Sequence, residues 1–226
     1  MLRYIYLATA SLALSAAPLI SATEAQAQKL NLDGSAKNAL AGASDKALDR
    51  LAEPGAFSAD EAIRIALPGP LKKASGILRF TNKAGLTGDL TKSMNDAAGF
   101  AAREAKPIFR AAIDKMTLRD GVGILTGGNR GGTQYLRKTS GAVLGQKLRP
   151  LIASALHKTG AFKQLDKLGS VSSFGRIGGI DLSKSGLTDS VTEQALDGIF
   201  VYIGREEGKF RKNPLRKPGR LLEGIF

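Results

Sequence analysis

The chain has 226 residues, with 33 Lys and Arg against 20 Asp and Glu, a formal net charge of +13 and no cysteine. The lack of cysteine excludes a disulfide framework and a thiolate metal site. The positive charge favours polyanionic partners. Nucleic acid is not the expected one, because only 9 Phe, 4 Tyr and no Trp are available to stack on bases.

The first 27 residues have the pattern of a secretory signal peptide. Arg3 precedes an uncharged, mostly apolar run over 4–20, and Ala25-Gln26-Ala27 supplies the small residues that signal peptidase recognises. We therefore predict a cleaved signal peptide over 1–27, a mature domain over 28–226, and a periplasmic or secreted location. An uncleaved membrane anchor is the alternative, because the run is close to the length that spans a bilayer. The mature chain has no second such run, so no transmembrane span is expected there.

The mature chain has apolar residues at helical spacing over most of its length. A stripe over 36–51 predicts the first helix, which ends at the turn Glu53-Pro54-Gly55. Apolar residues at alternate positions over 63–67 predict one short extended segment packed on the helices. Pro70 is expected to open the second helix, because proline fits the first helical turn.

Two long helices that contain a proline are predicted in the middle of the chain. Apolar residues recur every three or four positions over 86–105, and Pro107 is expected to kink this helix or to start a new one. A short helix is predicted over 117–125. The next long helix covers 133–158, with a kink expected at Pro150.

The last third of the chain is predicted to contain a short helix over 162–168, a loop rich in glycine and serine over 169–186, and a long helix over 187–210. The run 199–203 is apolar on every side, which indicates a central, deeply buried helix. A basic tail follows it. Together the elements predict an all-α, single compact multi-helix domain of about seven helices.

Four strings of the mature chain stand out together: ALPGPLKKA (66–74), REAKPIFRAAIDKMT (103–117), ILTGGNRGGTQYLRKTS (124–140) and TEQALDGIFVYI (192–203). They resemble a bacterial protein family called domain of unknown function 4197, and they follow its order over nearly all of the mature chain. The resemblance implies an exported or lipid-anchored helical protein and implies no particular reaction. Lipid attachment is excluded here, because the chain has no cysteine.

A glycine- and arginine-rich segment before the helix at 133 is the best candidate for a binding site. Its glycines leave backbone N–H groups open at a helix N-terminus, where anions are favoured, and its arginines suit phosphate or carboxylate. It is not a Walker loop, because the lysine and the preceding strand are missing. The alternative is a glycine turn with Asn129 or Thr133 as the N-cap. The predicted anion-binding residues are Gly127, Gly128, Asn129, Arg130, Gly131, Gly132, Thr133, Tyr135 and Arg137.

The segment 121–165 contains no acidic residue. Its basic side chains either form an electrostatic footprint for a polyanion or lie on a solvated face, and the sequence leaves both interpretations open. The basic residues are Arg130, Arg137, Lys138, Lys147, Arg149, Lys158 and Lys163.

Three carboxylates, Asp189, Glu193 and Asp197, share one helical stripe. They could bind a divalent cation or transfer protons. The structural interpretation is that they serve the helix dipole, with Ser190 and Glu193 as a capping box. The single histidine, His157, lies near a helix end and no hydrolase signature surrounds it.

The sequence favours a helical interaction module over an enzyme. The expected partner is an anionic envelope component or a protein, bound through the glycine- and arginine-rich segment. No cofactor and no catalytic residue are predicted. The alternative is an enzyme, hydrolase-like or metal-assisted, that uses the stripe Asp189, Glu193 and Asp197. A purely structural helical protein is the third possibility.

Overall fold

The protein folds as an assembly of helices. The structure is a computed structural model, and it describes residues 22–69, 71–72, 84–117, 128–169 and 183–212, with side chains from residue 34 onward. Over these ranges there is no strand, so the all-α prediction is confirmed. A turn of 3-10 helix at Gly128–Arg130 precedes the fourth α-helix. The α-helices are α1 (Ala22–Leu51), α2 (Ala56–Ala59), α3 (Ala84–Asp114), α4 (Gly131–Lys158), α5 (Ala161–Gly169) and α6 (Lys184–Lys212).

The long helices follow the apolar periodicity of the sequence, but prolines do not end them. Pro107 lies inside α3, so the prediction that a new helix could start there is wrong. Pro150 likewise lies inside α4. The predicted signal peptide up to residue 21, most of the helix at Pro70, the short helix after 117, the glycine- and serine-rich loop and the basic tail lie outside the described residues.

Helix α6 begins at Lys184, three residues before the predicted start. The hydroxyl of Ser183 accepts the backbone N–H of Gly186 at 3.1 Å, which is the geometry of an N-cap. Ser190 therefore lies inside the helix, where its hydroxyl accepts the Gln194 Nε2–H at 3.2 Å. The predicted capping box of Ser190 and Glu193 is wrong for this reason.

Two antiparallel helix pairs form the body of the domain. Helices α1 and α3 are joined by ion pairs in which the residue number rises on one helix and falls on the other: Asp45 with Arg110, and Asp49 with Lys106. Helices α4 and α6 are joined in the same manner: Arg137 with Asp197, and Arg149 with Asp189.

A continuous apolar core lies between these pairs. The rings of Phe109 on α3 and Phe200 on α6 meet edge to face, with centroids 6.0 Å apart and planes at 66°. Burying each large side chain contributes about 1.5–3 kcal/mol. Other fully buried side chains include Leu48, Leu90, Met94, Ile113, Leu136, Leu144 and Leu148.

None of the described helices is both long enough and apolar enough to cross a membrane.

The segment 63–67 has no helix and alternates between buried and exposed residues, as its sequence predicts. Its backbone is held by side-chain amides. Asn95 accepts the N–H of Ile65 at 2.9 Å and donates to the carbonyl of Ile65 at 3.0 Å. Gln194 does the same for Ala66, at 2.8 and 3.1 Å. These amides satisfy backbone groups that have no sheet partner, and they tie the segment to both α3 and α6.

Gly198 lets this part of the chain approach α6 closely. A Cβ at this position would lie 3.0 Å from the Phe57 ring and 3.2 Å from Cβ of Ile63. Both neighbours are buried. A methyl group at this position would therefore require both core side chains to shift by a few tenths of an ångström.

Candidate functional site

The glycine- and arginine-rich segment forms the N-terminus of α4. Gly128 has φ +67°, a left-handed conformation that glycine adopts without strain. Arg130 stands at the N-cap position without a side-chain cap. Thr133 lies within the first turn and Asn129 within the 3-10 turn, so the prediction that either is the N-cap is wrong.

A carboxylate of the same chain lies on this helix N-terminus. Glu207 of α6 accepts the N–H of Gly132 at 2.9 Å, the N–H of Thr133 at 2.8 Å and the Thr133 hydroxyl at 2.6 Å. A negative charge is stabilised there by unpaired N–H groups and by the helix dipole. Two of these N–H groups, those of Gly132 and Thr133, are therefore already occupied by a carboxylate supplied by α6.

The cation that completes this contact is Arg211. Its Nε and Nη2 donate to Oε1 of Glu207 at 3.0 and 2.8 Å. Glu207 is only 5% exposed, so these donors replace the hydrogen bonds that water would give its carboxylate at the surface. The neighbouring Glu206 is also buried and pairs with Arg50 of α1 at 3.2 Å and with Lys209 at 2.9 Å.

The 3-10 turn lies directly against the last turns of α6. A Cβ on Gly204 would be 3.1 Å from Cδ of Arg130, and one on Gly208 would be 3.7 Å from the carbonyl oxygen of Asn129. Lys212 follows at the same four-residue spacing, which places it on the α6 stripe that faces the turn.

Cations from two helices, α1 and α6, and from the 3-10 turn therefore meet at one end of the domain, which we call the basic end. Three carboxylates accompany them: Asp60, Glu206 and Glu207, and each is engaged by at least one arginine. Arg130 and Lys212 are exposed and pair with no carboxylate in the part of the chain that the structure describes. The basic end consists of Arg50, Arg130, Arg205, Lys209, Arg211 and Lys212.

Asp60 is the most exposed of these carboxylates, and Arg205 holds it in its charged form. The hydrogen bond from Arg205, and next the 2.9 Å bond from the N–H of Ala62, lower the pKa of the Asp60 carboxyl below its usual 3.8. Burial and the bond to Asp60 raise the pKa of Tyr202. The Arg205 guanidinium lies 4.8 Å from the Tyr202 ring centroid, and its own pKa is raised, chiefly by the hydrogen bond to Asp60. The cluster fixes residues 60–62 on α6.

The other predicted anion-binding residues of α4 point elsewhere. Arg137 pairs with Asp197, and its guanidinium carbon lies 5.4 Å from the Phe200 ring centroid, which places it on the seam between α4 and α6. Tyr135 is half-buried against the core. Gly127 lies outside the described residues. The structure thus brings Gly128–Thr133 together with Glu207 and Arg211, and it places Arg137 in a different contact.

The remaining basic residues of the acid-free segment are exposed but spread out. Helix α4 has 28 residues, which is about 42 Å of helix. Arg149 bonds Asp189 and the Ser185 hydroxyl near its far end. Lys138, Lys147, Lys158 and Lys163 lie along α4 and α5.

The acidic stripe on α6 does not form a pocket of carboxylates. Asp189 and Asp197 each pair with an arginine of α4, and Glu193 between them is exposed. Across the described ranges, no group of three His, Cys, Asp or Glu could hold a metal ion. His157 is exposed at the end of α4.

Glu206 and Glu207 are not among the site residues predicted from the sequence, although their helical phase marks them. Glu207 lies four residues after the buried Ile203, and Glu206 lies seven after the buried Ile199. Both acids therefore continue the apolar stripe. Arg211, four residues after Glu207, is the matching cation on the same face.

Comparison with known proteins places this helical domain in a family. Searches of curated proteins and of solved structures return no match to the chain. The family model described as Protein of unknown function (DUF4197) matches residues 26–226, which is all of the chain beyond the predicted signal peptide. The resemblance of the four sequence strings is thereby confirmed, and the chain belongs to this family.

Proposed function

We propose that the protein is an exported helical interaction module that binds an anionic envelope component through the basic end. The observation that carries the proposal is the placement of Arg130 beside α6, next to the stripe of Lys212. Both side chains are exposed, while the carboxylates below them are buried and already neutralised by other cations. The leader pattern supports export.

The chemistry of the basic end suits phosphate groups. Arginine donates two parallel hydrogen bonds to a phosphate, and lysine adds a point charge. The N–H groups of Gly132 and Thr133 are occupied by Glu207, so the ligand is bound by side chains and not by the helix N-terminus. A polyanion is favoured over a single ion, because several separated cations attract a chain of charges more strongly than one.

The geometry does not favour the alternative of an enzyme. Asp189 and Asp197 are more than half exposed and paired with arginines, so neither has the buried environment that tunes a catalytic carboxylate.

Linear inorganic polyphosphate tests the proposal. The processed protein should bind it with an affinity that falls as NaCl is raised. The variant R130E/K212E should bind at least about tenfold more weakly, because two charge-assisted contacts become repulsive. The variant K147E/K158E makes the same change of charge on α4, away from the basic end, and should lose less than about threefold. Equal losses in the two variants would show that only net charge matters and would refute a localised site.

Export is tested in the same preparation. We expect the processed protein in the periplasmic fraction with Gln28 as its first residue, as N-terminal sequencing would show. Intact chain that begins at Met1 in the cytosol would contradict this part of the proposal.

A further inference from the structure

We infer that Glu207 is an internal competitor for the anionic ligand of the basic end, because its carboxylate holds a cation that a phosphate group would otherwise bind. That cation is Arg211. The inference rests on the proposed function and specifies how binding at the same site is regulated. It makes the contact between α6 and the start of α4 a structural clamp and, at the same time, a limit on the affinity for the ligand.

Arg211 lies on the same side of α6 as the cations that carry the proposed function. It follows Gly204 by seven residues, which is about two helical turns, and the side chain of Arg130 packs on Gly204. Lys212 is its neighbour in the chain. The Arg211 side chain is 24% exposed, so a ligand bound by Arg130 and Lys212 can reach it from the surface.

The carboxylate of Glu207 holds the Arg211 guanidinium from the inner side. Nε and Nη2 of Arg211 both donate to Oε1 of Glu207, at 3.0 and 2.8 Å. Glu207 is itself 5% exposed, so it acts on the ligand through Arg211 and not by touching it. A carboxylate and a phosphate are both anions that a guanidinium binds through its N–H donors, so the two compete for Arg211.

Polyphosphate binding by Glu207→Gln tests the inference. The amide keeps the shape of the side chain and one oxygen acceptor for the N–H groups of α4, but it carries no negative charge. E207Q should bind at least about fivefold more tightly than the unchanged protein, because the ligand no longer shares Arg211 with a carboxylate. If Glu207 only positions the start of α4, the variant will bind equally well or more weakly, and either result would overturn the inference.

Glu193→Gln is the matched control for net charge. It removes the same charge from the exposed face of α6, about 21 Å along the helix from Glu207. At physiological salt it should change binding by less than about twofold, because the distance exceeds the Debye length. A gain equal to that of E207Q would show that net charge alone is responsible, and this would also contradict the competition for Arg211.

Two double variants identify the cation that is responsible for the gain. E207Q/R211Q and E207Q/K147Q both keep the net charge of the unchanged protein, since each loses one acid and one base. E207Q/R211Q should return to within about twofold of the unchanged affinity. E207Q/K147Q should keep the gain, because Lys147 lies about 24 Å along α4 from Gly131. A gain that survives in E207Q/R211Q would exclude Arg211 as the contested cation.

A measurement on the unchanged protein covers the case in which E207Q does not fold. The Nε–H signal of Arg211 in a heteronuclear NMR spectrum should shift as polyphosphate is added, because the ligand competes with Glu207 for this guanidinium. The signal of Arg149, whose Nε donates to Asp189, is the control and should stay in place. If the Arg211 signal also stays in place at saturating polyphosphate, the inference is wrong.

The inference and the proposed function fail in different ways. If the unchanged protein binds polyphosphate and R130E/K212E loses that binding, the absence of a gain in E207Q refutes only the competition by Glu207. If the unchanged protein does not bind polyphosphate, or if R130E/K212E binds it equally well, the proposed function itself is refuted.

Discussion

Helix α6 carries acidic residues in two settings that differ sharply. In its first half, Asp189, Glu193 and Asp197 lie on the surface, and the two aspartates pair with arginines of α4. In its second half, Glu206 and Glu207 are buried, at 7% and 5% exposure. The exposed acids form the pattern that sequence reasoning notices, whereas the buried acids connect α6 to α1 and to the start of α4.

The difference shows that a residue pattern that is easy to recognise in the sequence need not contribute much to the free energy of unfolding. Exposed ion pairs contribute about 0–1 kcal/mol, because water screens them and ordering two long side chains costs entropy. A buried carboxylate contributes only through the donors around it, but removing it leaves those donors without a partner, which costs several kcal/mol. Removing a buried acid from the second half of α6 should therefore lower the free energy of unfolding much more than removing an exposed acid from the first half.

The largest expected effect is that of Glu207→Ala. The substitution leaves the N–H groups of Gly132 and Thr133 and the guanidinium of Arg211 without their acceptor. We expect a loss of about 3–5 kcal/mol in the free energy of unfolding, measured by urea denaturation. Glu193→Ala, on the exposed face of the same helix, is the control and should change it by less than about 0.5 kcal/mol. Similar losses in the two variants would abolish the contrast between the two halves.

Much of the fold follows from local pattern. The stripe over 36–51 and the turn at Glu53-Pro54-Gly55 predict the end of α1, and alternation over 63–67 predicts a segment without helix. Pro107 misleads, because the rule that proline breaks a helix concerns local hydrogen bonding, while α3 is held by packing on both sides of it.

The site was harder to predict than the fold, because its partners are distant in sequence. The glycine segment predicts that the N–H groups at the start of α4 are open to an anion. It cannot reveal that Glu207, 75 residues away from Gly132, supplies that anion. Likewise, nothing local to Asn95 or Gln194 indicates that their amides hold the backbone of residues 65 and 66. Long-range polar pairs have no periodic signature, so only the assembled fold shows them.

An intermediate effect is expected at Asp60, whose side chain is 25% exposed. Arg205 lowers the pKa of the Asp60 carboxyl below 3.8 in the folded protein. The contact therefore stabilises the fold fully when the pH is above the pKa that Asp60 has in the unfolded chain. This stabilisation is lost as the pH falls through the lower pKa that Asp60 has in the folded protein. The free energy of unfolding of the unchanged protein should therefore exceed that of Asp60→Asn near neutral pH, and the difference should shrink at strongly acidic pH. A difference that stays constant with pH would show that Asp60 contributes through packing alone.

The smallest effect is expected at the exposed pair of Arg137 and Asp197. Both side chains are about half exposed, at 52% and 53%, so Asp197→Ala should lower the free energy of unfolding by about 0–1 kcal/mol. The loss should fall further in high salt, because screening weakens the pair in the unchanged protein. Asp189→Ala removes the equivalent exposed pair with Arg149 and should behave alike. Arg137→Ala should cost more than Asp197→Ala, because its guanidinium also lies over the ring of Phe200. If Asp197→Ala instead matched Glu207→Ala, the first half of α6 would be as important as the second, and exposure would not separate the two groups of acids.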